Sequence, residues 1–219
     1  MEKELVLFSG GPDSTILLNY LLKQNKNIIV LYVQSGWCYE TQKKIPIQNN
    51  VVVNILKYFQ EKKYNFQFIN SGLFINLPQI ASNFGTDDQW CTFMAAIICR
   101  SLNIKKIWSG YFTYTENNRK EFTGSGTYWI YDGSLKEYIN YGSRNDPDFK
   151  DIEYLTPKTV FNNTGIDSFN TKKEAFDSLD FELKKLVRSC ESEINFCGKC
   201  YKCKTYIHHK ITNEKGEII

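Results

Sequence analysis

The chain has 219 residues, 42% of them hydrophobic and 23% charged, a balance that excludes a disordered or fibrous protein and suits one domain with an appendage. A net charge of +3 with only four Arg among 27 basic residues argues against a dedicated nucleic-acid binder. Its longest apolar run, at 93–99, is far below the ~20 residues that span a bilayer. The Met-Glu-Lys-Glu start also lacks the apolar stretch of a signal peptide, so a cytoplasmic location is expected.

Residues 5–8 form a short apolar run that stops at Ser-Gly-Gly-Pro, and apolar residues then cluster over 13–22 as in a buried helix. The continuous apolar stretch 28–33 predicts a strand covered on both faces. A helix follows over about 48–61 with Pro46 ahead of it, then a strand over 65–70, a helix over 90–102 and a strand over 104–108. This alternation predicts a doubly wound parallel sheet with right-handed crossovers, whose ligand sits at the carboxyl ends of the strands. Glycines and Pro147 interrupt the pattern over 111–154, and the aromatic-rich part of that stretch reads as a lid or a dimer surface. Thr171-Lys-Lys-Glu174 is a capping box that predicts a helix to about Val187.

Two local patterns carry chemistry. Ser9-Gly10-Gly11-Pro12-Asp13-Ser14 lies between the first strand and the first helix, where glycines let backbone N–H groups approach an anion at the positive end of the helix dipole. The alternative is a tight turn with Asp13 or Ser14 as the helix cap. No Gly-Lys-Ser/Thr ending is present, which excludes a Walker A loop. The second pattern is Cys190, Cys197, Cys200 and Cys203, four of the seven cysteines within one short segment. Four thiolates close a tetrahedral Zn²⁺ site, while Cys-x2-Cys-x2-Cys also fits an iron–sulfur cluster. Free thiols are the third reading.

The loop resembles the SGGxDS pyrophosphate loop of the N-type ATP pyrophosphatases, enzymes that cleave ATP between the α and β phosphates and adenylate a substrate. That resemblance implies that Ser9, Gly10, Gly11, Asp13 and Ser14 hold ATP phosphates with Mg²⁺, and that Gly110 belongs to a second glycine site near the nucleotide. The loop and the cysteine cluster together resemble 7-cyano-7-deazaguanine synthases. Leu155-Thr-Pro157, the helix after Thr171 and Ser189-Cys190 carry the likeness through the chain. It implies an adenine nucleotide α-hydrolase-like, Rossmann-like fold with a five-stranded sheet. A nucleotide-binding core over 1–160 and a C-terminal helix with a structural zinc segment over 161–219 are expected. The implied reaction converts 7-carboxy-7-deazaguanine, ATP and ammonia to the nitrile, in a homodimer that contacts no nucleic acid or membrane.

The substrate stretches depart from the family. Gln34-Ser-Gly-Trp37 and Asp87-Asp-Gln-Trp90 stand where the family usually carries Arg- and His-containing segments. Trp37 or Trp90 could stack on a purine-like base and Asp87 or Asp88 could accept from its N–H groups. The plainer alternative is that the Trp residues are core and the Asp residues caps. Lys158, Lys172 and Arg119 remain as cationic candidates, and Lys158 is favoured as catalytic because it follows Thr156-Pro157 at a strand end. The alternatives are a tRNA-modifying enzyme that adenylates or thiolates a base, and a non-catalytic nucleotide-binding homologue reused in a phage or defence system.

Overall fold

A computed structural model of the chain describes residues 2–36, 39–74, 87–110, 152–155, 171–187, 190 and 195–219. Five parallel strands form one sheet: β1 (Lys3–Leu7), β2 (Asn27–Gly36), β3 (Phe66–Phe74), β4 (Lys106–Trp108) and β5 (Glu153–Leu155). Their order is β3-β2-β1-β4-β5. The chain therefore winds outward from β1 in one direction and then returns to its other side, which puts the reversal of order between β1 and β4.

The strands explain the layering. Side chains alternate along a strand, so each strand of a covered parallel sheet feeds two cores. Val6, Ile28, Val30 and Tyr32 face helices α1 (Pro12–Lys23) and α2 (Tyr39–Glu61), packing with Leu17, Leu21, Ile55 and Phe59. Leu5, Ile29, Leu31 and Val33 face the opposite way and pack with Ala95 and Cys99 of α3 (Asp87–Ser101). Helices on both faces give the doubly wound α/β class that the alternation predicts. At the amino edge of the sheet, the Glu4 carboxylate accepts from Trp108 Nε1 at 2.5 Å and from Lys26 Nζ at 3.0 Å, tying β1 to β4.

The C-terminal segment adds α4 (Lys172–Asp177), α5 (Phe181–Leu186) and α6 (Tyr201–His208). Ala175, Phe176, Leu183, Tyr206 and Ile211 join the same buried cluster as Leu17 and Phe59, so these helices cover the face already occupied by α1 and α2.

Several element boundaries differ from the sequence expectation: β2 runs on to Gly36, α3 begins at Asp87 and β4 at Lys106, and three further differences have a local cause or consequence. Helix α2 starts at Tyr39 and runs through Pro46, whose fixed φ is a helical value although its ring removes one backbone hydrogen bond and crowds the carbonyl one turn back. Strand β3 extends to Phe74, paired with β2 along its whole length. The single helix expected after Thr171 is two helices, because the Asp180 side chain accepts from Leu183 N at 3.0 Å and so caps a second start.

Candidate functional site

The glycine loop occupies the carboxyl end of β1, beside the reversal of strand order where open α/β sheets bind ligands. Gly10 turns with φ +72°, and a methyl group there would meet Val51 Cγ1 of α2 at 2.9 Å. Both the left-handed backbone and the close helix demand glycine. Gly11 is the N-cap of α1, and no side chain caps this helix, which overturns Asp13 or Ser14 as its cap.

The serines hold the loop's shape instead. Ser9 N donates to Ser14 Oγ at 3.3 Å, and the two hydroxyl oxygens lie 3.2 Å apart. Ser14 Oγ and Thr15 Oγ1 reach the Gly11 carbonyl at 3.2 and 2.7 Å, and Gln48 Nε2 of α2 donates to the Ser9 carbonyl at 3.0 Å. The loop's cup is thus fixed in shape ahead of any ligand, at a helix start of the kind that binds anions.

Gly110 follows β4 and packs directly on the loop. A methyl group on it would lie 2.6 Å from Ser14 N and 2.8 Å from the Asp13 carbonyl carbon. Its structural role is therefore close backbone contact with the first turn of α1.

Two cations from the C-terminal segment reach this loop. Lys172 Nζ, at the start of α4, pairs with Asp13 Oδ2 at 3.1 Å with only 15% of its side chain exposed. A carboxylate beside phosphates is repulsive unless balanced, and Lys172 supplies the balance from the protein itself. Lys202, on α6, brings its ammonium to 3.8 Å from the methyl position of Gly11. Tyr206 is fully buried near both sites; burial raises its phenol well above the usual value, and the charges of Asp13 and Cys203 raise it further.

The four cysteines converge. Their sulfurs all lie within 4.8 Å of one another, with Cys190–Cys200 and Cys197–Cys203 each at 3.9 Å. A tetrahedral ion with bonds of ~2.3 Å separates its sulfurs by ~3.8 Å, so the residues fit one metal ion. Gly198 turns the segment, and the Cys200 and Cys203 backbone N–H groups point at Cys197 Sγ and Cys200 Sγ, both at 3.4 Å. Backbone N–H groups of Cys200 and Lys199 hold the Cys197 thiol below its ordinary pKa, whereas burial pushes Cys203 up to about 12. Metal binding must displace the Cys203 proton. Among the described residues this is the only group of three or more His, Cys, Asp and Glu side chains placed to hold a metal.

No family model and no curated protein matches the chain. Among solved structures, the U34-tRNA thiolase NcsA from Methanococcus maripaludis with its [4Fe-4S] cluster is similar at 15% sequence identity and a TM-score of 0.45. The match covers 93% of this chain and 63% of that one, so this chain spans less than two thirds of the thiolase's length.

The structure thus brings together Ser9, Gly10, Gly11, Asp13, Ser14 and Gly110, and separately Cys190, Cys197, Cys200 and Cys203. Trp37, Lys158, Arg119 and the aromatic stretch 111–131 lie outside the described residues, as do the side chains of Asp87, Asp88 and Trp90. The backbone of Asp87 to Trp90 forms the first turn of α3. Lys172 is one of the three cationic candidates in the sequence, and the structure gives it Asp13 as a partner; Lys202 has no sequence signal beyond its place between two cysteines. Cys99 is fully buried and its thiol is pushed up to about 12 by that burial, so it is a core residue.

Proposed function

We propose that the chain is an ATP-dependent adenylating enzyme that holds the pyrophosphate end of ATP in the loop 9–14. The observation that carries this reading is the motif loop at an uncapped helix start, with Lys172 paired to its Asp13. In this role the backbone N–H groups of the loop and the hydroxyls of Ser9 and Ser14 bind phosphate oxygens. A substrate oxygen attacks the α phosphorus, the bond from that phosphorus to the bridging oxygen breaks, and pyrophosphate leaves into the cup. Catalysis rests on positioning and on charge stabilisation of the leaving group, without a protein nucleophile. Asp13 is the loop carboxylate that would hold Mg²⁺, an ion that screens phosphate charge when bound.

The substrate we propose is a 7-carboxy-7-deazaguanine: ammonia attacks the adenylated carboxyl carbon and displaces AMP to give the amide, and a second ATP adenylates the amide oxygen, which leaves with AMP as the nitrile forms. Asp87 and Asp88 support it in one respect. They open α3, and the C-terminal end of α3 turns into β4, so their turn lies toward the carboxyl edge of the sheet. There they would accept from a guanine-type edge, with Trp37 or Trp90 stacking and Lys158 facing the acyl phosphate. The metal in this reading is a structural Zn²⁺, supported by sulfur spacings that suit one shared ion. An iron–sulfur cubane sets a separate iron under each thiolate and spreads the sulfurs further.

The second reading keeps the loop chemistry and exchanges the substrate for a tRNA base, the substrate class named for the thiolase above. Purified protein incubated with ATP, ammonia and 7-carboxy-7-deazaguanine, or with ATP and tRNA, separates the two by mass spectrometry. The expected result is AMP, pyrophosphate and a deazaguanine amide or nitrile. AMP formation only with tRNA transfers the function to the second reading, and ATP binding without AMP in any mixture removes the enzymatic one.

A further inference from the structure

The cysteine segment and the glycine loop meet through one side chain. Lys202 sits between two of the four candidate metal ligands, Cys200 and Cys203, in the first turn of α6. Its ammonium lies 3.8 Å from the methyl position of Gly11, the N-cap of α1. Lys199 and Lys204 flank the same ligands but are exposed, whereas Lys202 is half-buried. A solvated lysine balancing thiolate charge has no need of that burial, because ammonium groups are strongly hydrated and usually keep their heads in water.

The segment is also built to hold this position. Cys200 Sγ accepts from Cys203 N at 3.4 Å and so caps α6. Farther along the helix, Tyr206 meets Phe176 of α4 edge to face at 6.0 Å. Helix α4 in turn carries Lys172 to Asp13. The two lysines therefore approach the loop from one connected unit, Lys172 through the carboxylate of Asp13 and Lys202 beside Gly11.

We propose that Lys202 is a phosphate-binding residue of the loop, and that the metal ion, by fixing Cys200 and Cys203 on either side of it, sets the affinity of the loop for pyrophosphate and for the pyrophosphate end of ATP. The proposal rests on the pyrophosphate-loop reading above and extends it: the metal is structural in its coordination and regulatory in its effect.

Calorimetric titration of the full metal-loaded chain with inorganic pyrophosphate and with ATP tests it. Lys202→Met keeps the apolar stem and is expected to weaken both by about tenfold or more, the scale of one charge-assisted contact, with metal content by elemental analysis unchanged. Lys202→Arg is expected to recover most of the loss. Cys197→Ser, which opens the metal site, is expected to weaken pyrophosphate binding in the wild-type background and to add little to Lys202→Met, since both act through one group.

Wild-type affinity in Lys202→Met overturns the role of Lys202 while leaving the loop reading in place. Additive losses in the double variant overturn the coupling, as does a wild-type chain that binds pyrophosphate equally well after chelation of its metal, an arm that needs no variant to fold. If the metal-loaded wild type binds neither pyrophosphate nor ATP, while remaining folded by circular dichroism, this proposal and the loop reading fall together.

Discussion

Gly110 and Asp13 illustrate how single residues acquire their roles from neighbours far away in the chain. The bare α-carbon of Gly110 lets the end of β4 lie on the backbone of Asp13 and Ser14, with a hypothetical methyl only 2.6 Å from Ser14 N. Backbone cannot yield as a side chain tip does, so Gly110→Ala is expected to cost ~1–3 kcal/mol of stability, the range for forced overpacking. Urea unfolding followed by circular dichroism reads that loss; a midpoint equal to the wild type would show that the loop shifts freely. At this scale the sequence was informative about the loop itself, because Ser9-Gly10-Gly11 and Ser14 act through hydrogen bonds among themselves. It offered Lys172 as a cationic candidate without a partner and gave no sign of Lys202's role. Both sit in local patterns formed far from the glycines, and only the tertiary fold brings them to the loop.

The elements show the same division between local and distant causes. Parallel strands announced themselves because a strand buried on both faces must be apolar throughout, and β2 is buried from Ile28 to Val33. Helix ends were less legible. Thr171 does cap α4, accepting from Glu174 N at 3.0 Å as the capping box predicts, but Asp180 caps again and divides the helix. Asp180 also accepts a hydrogen bond from Tyr58 of α2, a contact no periodicity could announce. Burial raises the Asp180 carboxyl, and the bonds from Tyr58 and the Leu183 backbone outweigh it and leave it below the usual range. Thr171→Ala is expected to destabilise the chain by about 1 kcal/mol, an ordinary cap loss. Asp180→Ala is expected to lose more, since it removes a cap and the link to α2 together. Equal unfolding midpoints for the two variants would mean that the Tyr58 contact contributes nothing.

Across the whole molecule, the sheet with its helices on both faces holds itself together through two apolar cores, whereas the C-terminal helices cannot stand alone. Helices α4 and α5 have six residues each and α6 has eight, well below the ~12–15 at which isolated helices become marginal in water. They persist by burying Phe176, Leu183 and Tyr206 on the face of α1 and α2 and by gathering four cysteines. Metal removal is therefore expected to loosen the C-terminal segment before the sheet. Hydrogen exchange after chelation should accelerate in α6 and leave β1 and β2 protected, with a thermal midpoint lowered by about 5 °C or more. Uniform acceleration across the sheet would instead make the metal part of the global fold. The alternation of strands and helices made the α/β class legible from the start. Where the last three helices dock was not legible, because their apolar residues are few and the face they cover is defined by side chains from the opposite half of the chain. No helix among the described residues is long and apolar enough to cross a membrane.

The ion pair between Asp13 and Lys172 spans 159 positions of sequence. Any motion that lifts α4 from α1 would part the two charges and leave Asp13 as an uncompensated carboxylate beside the glycine turn, so the docking of one short helix governs the charge at the start of another.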